Sequence, residues 1–172
     1  DCSGDHFVHA EDENVFEKSY RGLEGIVFVI DPDNIPEYSV EQGKMPKDGF
    51  EPDEMLASFS RLYTEIIGIG PREKIDVPIA IVLTRCKEAG VEHSRFAVES
   101  QETGPEGISR FLENMGQSNF TNEIATRFTH ARYFAVDAAD GSYDQFMVPL
   151  AWLMNMANPR LKRVIRWSEE EQ

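Results

Sequence analysis

The sequence predicts an α/β domain in three layers, with a doubly wound, mainly parallel sheet between helices. Two observations carry that prediction. Short, continuously apolar runs alternate with stretches of helical period, and each run ends in a polar residue. The runs also lack the in-out alternation of a half-exposed strand, as expected where both faces of a parallel sheet are buried.

The first run, residues 25–30 (GIVFVI), ends at Asp31. The second, residues 77–83 (VPIAIVL), ends at Thr84, and the third, residues 131–136 (ARYFAV), ends at Asp137. The third is less regular, and Arg132 marks it as an edge position. Between the first two runs, Leu56, Phe59, Tyr63, Ile66 and Ile67 follow one helix face until Gly68 and Gly70 stop it. Ile108, Phe111, Leu112 and Met115 form a second stripe, opened by Gly104-Pro105 and closed by Gly116. Phe120, Ile124 and Phe128 form a third at four-residue steps. After the last strand come Phe146, Leu150, Leu153, Met154 and Ala157, ended by Asn158-Pro159. Met115, Met154 and Met156 read as gap-filling residues in or near the core.

Two polar stretches interrupt this pattern. Residues 32–52 carry prolines at 32, 36, 46 and 52, and residues 88–104 form a second insertion. A loop that long inside a compact domain is usually functional or disordered. Each follows the C-terminal end of a strand, the edge where open α/β sheets take ligands.

Composition bounds the rest. The 172 residues are 41% hydrophobic, enough for one domain with a real core, so disorder of the whole is excluded. Lys plus Arg number 17 against 31 Asp plus Glu, a formal charge of -14, which argues against a nucleic-acid surface. Arg160, Lys162, Arg163 and Arg166 read as a solvated helix end. Cys2 and Cys86 build no disulfide framework, which points to a reducing cytoplasm. No apolar run approaches the ~20 residues of a membrane span.

The chemistry-bearing motifs begin at Asp1-Cys2-Ser3-Gly4-Asp5. An Asp followed three residues later by Gly can hold magnesium through water while the glycine amide meets a terminal phosphate, where any side chain would obstruct the approach. Turns also produce the pattern. Its order before the three strands gives it weight. Taken together, Asp1 to Gly4, residues 25–32, residues 77–84 and residues 132–136 resemble successive landmarks of the G domain of P-loop GTPases. The nearest variety is the bacterial and archaeal double-GTPase-like proteins, in which one strand reads roughly VPxAVVLTK and the last reads RYFAVSA. The resemblance extends to residues 149–153 as that family's closing helix, and so covers nearly the whole chain.

The resemblance implies a GTPase-like, nucleotide-binding molecular switch that uses GTP, GDP and Mg2+. Asp1 would order the metal, Gly4 sense the terminal phosphate, and residues 5–20 form the mobile switch. Asp5 stands where many GTPases keep Gln, and this family Glu, to orient water. Thr84, Arg85, Lys87, Asp137 and Ala138 would surround the base. The departures matter as much. The family's base-reading motif, Asn/Thr-Lys-x-Asp, aligns with Thr84, Arg85, Cys86 and Lys87. Lys87 therefore replaces the carboxylate that accepts two hydrogen bonds from guanine, and an ammonium accepts none. Glu88 substitutes only if the loop is re-registered. The Ser-Ala motif becomes Asp137-Ala138. The phosphate-binding string G-x-x-x-x-G-K-S/T occurs nowhere, the only Gly-Lys pair being Gly43-Lys44. In a G domain that loop lies upstream of Asp1-x-x-Gly4. The expectation is therefore a domain incomplete at its N-terminus, residues 1–172 forming its later part, with no GTP hydrolysis by this chain alone.

Plainer readings stay open beside these. Asp31 reads either as a magnesium ligand at a strand end or as a turn aspartate before Pro32, and Thr84 to Lys87 as a simple strand exit. His6 and His9, with Cys2 and Asp5, form either a metal site or a solvated segment. Asn119-Phe120-Thr121 is a formal glycosylation sequon, and no Gly-x-Ser-x-Gly elbow supports a serine hydrolase. The second functional expectation is a pseudo-GTPase scaffold that binds a protein partner through residues 32–52. The third is a flavodoxin-like or receiver-like module, which would require a sheet complete beside residues 25–31.

Overall fold

The computed structural model describes residues 20–46, 49–70, 72–91, 107–137 and 143–158. Strands β1 (Ile26–Ile30), β2 (Ile79–Leu83) and β3 (Ala131–Ala135) form one parallel sheet in the order β1-β2-β3. Ile26 pairs with Ile79 and Ile79 with Ala131, so the three runs expected from the sequence lie side by side in chain order. β2 is buried at every position, as its unbroken apolar run requires. β3 pairs with β2 alone among the described residues, in line with the edge position that Arg132 marks.

Five helices surround the sheet in the described residues: α1 (Pro36–Glu41), α2 (Pro52–Ile67), α3 (Gly107–Asn114), α4 (Ser118–Arg127) and α5 (Tyr143–Ala157). α2 starts on Pro52, where the missing N–H costs nothing, and carries Asp53 and Glu54 in its first turn, where the helix dipole favours acids. Gly68, at φ +75°, ends it. Leu56, Phe59 and Tyr63 are buried on its inner face, as their spacing predicts. Gly116 (φ +79°) closes the α3 stripe in the same left-handed conformation.

The polar stretch at 32–52 folds further than expected. Pro32–Asn34 forms a 3-10 turn and Pro36–Glu41 forms α1, each with proline in its first positions. Pro32 and Pro36 act here as starters, because their fixed φ suits a first turn. α1 ends in a Schellman motif. Gly43, at φ +68°, donates its N–H to the Val40 carbonyl, and Lys44 donates to that of Ser39. That reversal sends Lys44 back toward the sheet edge.

Helices cover both faces of the sheet. Ile30, Ile79, Ile81 and Leu83 share one buried cluster with Tyr38, Leu56, Phe59, Ile108, Phe111, Leu112, Phe120 and Ile124 from α1 to α4. Ala80, Val82, Phe134 and Val136 meet Val148 and Leu153 of α5 on the other face, where Trp152 lies 5.8 Å from the Phe134 ring. The described chain is thus α/β, with a parallel three-stranded sheet. α5 departs from the stripe read in the sequence. Val148, Ala151 and Leu153 are buried, whereas Phe146, Leu150 and Met154 are exposed. α5 is apolar around its circumference, so periodicity finds the helix but not the side that meets the sheet. Met154 is correspondingly a surface residue and not core filling.

Candidate functional site at the C-terminal sheet edge

All three strands run the same way, so their polar exits share one edge. β1 hands over to Asp31, β2 to Thr84 and Arg85, and β3, through Val136, to Asp137. Asp1, Gly4, Asp5 and Ala138 lie outside the described residues, so the edge is built here from the other expected positions.

Thr84 ties the first two strands together. Its backbone N–H donates to the Ile30 carbonyl at 2.9 Å and its hydroxyl to the same oxygen at 3.1 Å. Arg85 follows with φ +48°, the only non-glycine on the left-handed side among the described residues. That conformation costs a side-chain-bearing residue about 1 kcal/mol. It turns the chain into residues 86–91, where the N–H groups of Glu88 and Ala89 donate to the Arg85 carbonyl and Val91 to that of Cys86. Cys86 is fully buried, its N–H donating to the Val136 carbonyl at 3.2 Å, and burial pushes its thiol pKa up. Lys87 is exposed.

The Arg85 side chain crosses to the exit of β1. Its Nη2 lies 2.7 Å from Asp31 Oδ1 and 2.8 Å from Asp33 Oδ2, and Nη1 lies 3.8 Å from Glu88 Oε2. Lys44 Nζ donates to Asp33 Oδ1 at 2.9 Å. Asp33 is the buried member, and its backbone carbonyl also accepts from the Ser39 hydroxyl at 3.0 Å. The Lys44 hydrogen bond, with help from Arg85 and against the cost of burial, holds the Asp33 carboxyl down at about 2. Asp31 has a second task. Its Oδ1 accepts from the Asp33 N–H at 3.1 Å and so caps the 3-10 turn. This is the turn aspartate of the plainer reading, now also an ion-pair partner.

Asp137 is buried at the end of β3, and its N–H donates to Gln145 Oε1 at 2.8 Å, which joins that strand to the first turns of α5. The edge therefore joins Arg85 and Asp31 in one ion-paired group, with Thr84 beside it on the Ile30 carbonyl and Asp137 at the end of β3. Asp33 and Lys44 are the members that motif reading missed. The signal for Asp33 is the Asp-Pro-Asp spacing over 31–33, which places a second carboxylate within the first turn after the cap. Lys44 carries no sequence signal beyond the glycine before it.

At the positions where the resembled family reads guanine, Arg85 and Lys87 supply no acceptor. The edge of that base presents paired donors, whereas Arg85 and Lys87 only donate and the Arg85 head group already faces two carboxylates. Among the described residues no group of three or more His, Cys, Asp or Glu converges as a metal site. No helix among them is long and apolar enough to cross a membrane. Compared with known protein families, curated proteins and solved structures, the chain matches none.

Proposed function

We propose that this chain is part of a G-domain-like, nucleotide-binding switch module whose base-reading edge has lost its guanine selectivity. One observation carries the reading. Three parallel strands, adjacent in chain order, deliver Asp31, Thr84, Arg85 and Asp137 to one edge, the place where open α/β sheets bind phosphorylated ligands. Among the described residues nothing covers Val27 (43% exposed) and Val29 (56%) on β1, which supports a further element over that side of the sheet, because parallel sheets are normally covered on both faces. This favours the module over a flavodoxin-like or receiver-like sheet completed at β1.

In this reading Asp1 orders Mg2+ through water, the Gly4 amide meets the terminal phosphate and Asp5 orients the attacking water. Any hydrolysis rests on positioning and electrostatics and needs a phosphate-binding loop that these 172 residues do not contain. Arg85 and Lys87 flank the base without supplying an acceptor. The missing acceptor removes the several kcal/mol by which a paired polar contact normally discriminates between bases.

The test is displacement of a fluorescent GTP analogue from the full-length polypeptide by GTP, ATP and UTP in the presence of Mg2+. Saturable binding, with GTP and ATP within about tenfold of each other, is the expected result. Failure to bind any nucleoside triphosphate overturns the reading.

The ion-paired state of Arg85 favours a second reading, a pseudo-GTPase that binds a protein partner. Residues 32–44 form an ordered platform, with Val40 exposed, which a partner can engage without nucleotide. Partner capture that is unchanged by added GTP, and abolished by replacing residues 36–44 with a Gly-Ser linker, would select it.

A further inference from the structure

The Arg85 clasp closes the junction between the exits of β1 and β2. Two features separate it from an ordinary surface ion pair. Its backbone sits at φ +48°, a conformation that non-glycine residues rarely hold. Its Nε–H is buried and meets no acceptor, although a guanidinium offers Nε and Nη2 as one bidentate edge. Asp31 and Asp33 each put one oxygen on Nη2 and none on Nε. The edge that suits a bidentate oxyanion is therefore half used. Lys44, the other cation of the group, is held by the same Asp33.

We propose that Asp31 and Asp33 are an internal competitor for Arg85 and Lys44, so that a phosphate-bearing ligand binds this edge by displacing them. The two carboxylates mimic the ligand's charge without matching its geometry. A phosphate spanning Nε and Nη2 satisfies the donor that the clasp leaves orphaned. Lys44 released from Asp33 supplies a second, point-like contact. The competition does not rest on the reading above, which sets Arg85 beside the base, and inorganic tripolyphosphate is its direct probe.

The experiment titrates sodium tripolyphosphate, and separately Mg-GTP, into the full-length polypeptide by calorimetry at fixed ionic strength. Asp31→Asn keeps the cap, since Asn serves that position as well as Asp, but weakens the hold on Arg85. It should tighten tripolyphosphate about tenfold, and Arg85→Ala added to it should erase the gain. Asp33→Asn, which frees Lys44 as well, should do at least as much and stands in if Asp31→Asn fails to fold. Glu88→Gln removes an equal charge nearby without vacating Nη2, and should change affinity less than threefold. An unchanged affinity in the aspartate variants, an equal gain in Glu88→Gln, or a gain that survives loss of Arg85 overturns the inference. If tripolyphosphate behaves as expected while no form binds GTP, the competitor stands and the nucleotide reading falls. If GTP binds while tripolyphosphate binds the unaltered protein and Asp31→Asn equally, the reverse holds.

Discussion

On one face of the sheet, Ile79, Ile81 and Leu83 lie beneath helices α1 to α4, with an aromatic layer packed around them. On the other, Ala80 and Val82 of the same strand are covered by α5, where the cover given by the described residues stops. Val27 and Val29 pair in register with Ala80 and Val82 yet stand exposed. The same strands build both faces, but mostly Ile, Leu and Phe line the first and mostly Val and Ala the second. Among the described residues the helices also extend less far over the second face. The first, finished face holds the fold; the second is left partly open by the described residues.

The largest consequence is on the finished face. Phe120 is fully buried, with its ring centroid 5.3 Å from that of Phe28. Phe120→Ala should cost about 3–5 kcal/mol, read as a drop in the urea midpoint at unchanged slope. The matching position across the sheet is Leu153, which lies against Gly25 and is 8% exposed. Its rim can relax into the space left behind, so Leu153→Ala should cost about 2 kcal/mol, at the low end for a buried leucine. Equal losses at the two positions would show that α5 is packed as tightly as α2 to α4, and the contrast between the faces would disappear.

Between the faces, the clasp gives the next effect. Asp33→Asn keeps the shape but weakens charge-assisted bonds to Lys44 and Arg85, and should cost about 1–2 kcal/mol. The pH dependence follows in sign. A carboxyl whose pKa is depressed in the folded state stabilises above its unfolded value of 3.8 and loses that contribution as pH falls toward about 2. The gap between native protein and Asp33→Asn should therefore be full at pH 6 and narrow steadily below pH 4, as measured by thermal melts. A gap that is constant across that range would place the cost elsewhere than in the carboxylate charge.

What the sequence disclosed, and what it withheld, follows the same division. The strands were legible because continuous apolar runs have few other uses, and α2 because its stripe, proline start and glycine stop agree. α5 was legible as a helix, but its buried face was not, since a helix apolar all round carries no phase. The 32–52 stretch reads as loop because it is long, polar and rich in proline, while the placement of Pro32, Pro36 and Pro52 at first-turn positions emerges only with the chain folded. At the site, Thr84, Arg85 and Asp31 were marked by lying just past strand ends. The pairing of Arg85 with Asp33 and Lys44 depends on a left-handed residue and a helix reversal, neither of which has a periodic signature.

The smallest effect concerns Val29. Threonine fills nearly the same volume and keeps the β-branched shape a strand prefers, so exchanging it in water changes little. Under a covering element the hydroxyl loses its water, and the cost rises to about 1 kcal/mol. Val29→Thr in the full-length polypeptide therefore reports directly on whether the second face is finished by something beyond α5. A loss of that size, with Val40→Thr on the exposed surface of α1 as the neutral control, is the expected outcome if a further element covers that side of the sheet. A change within about 0.5 kcal/mol would leave that side of β1 uncovered and Val29 an ordinary surface valine. The flavodoxin-like or receiver-like alternative would then regain its main support.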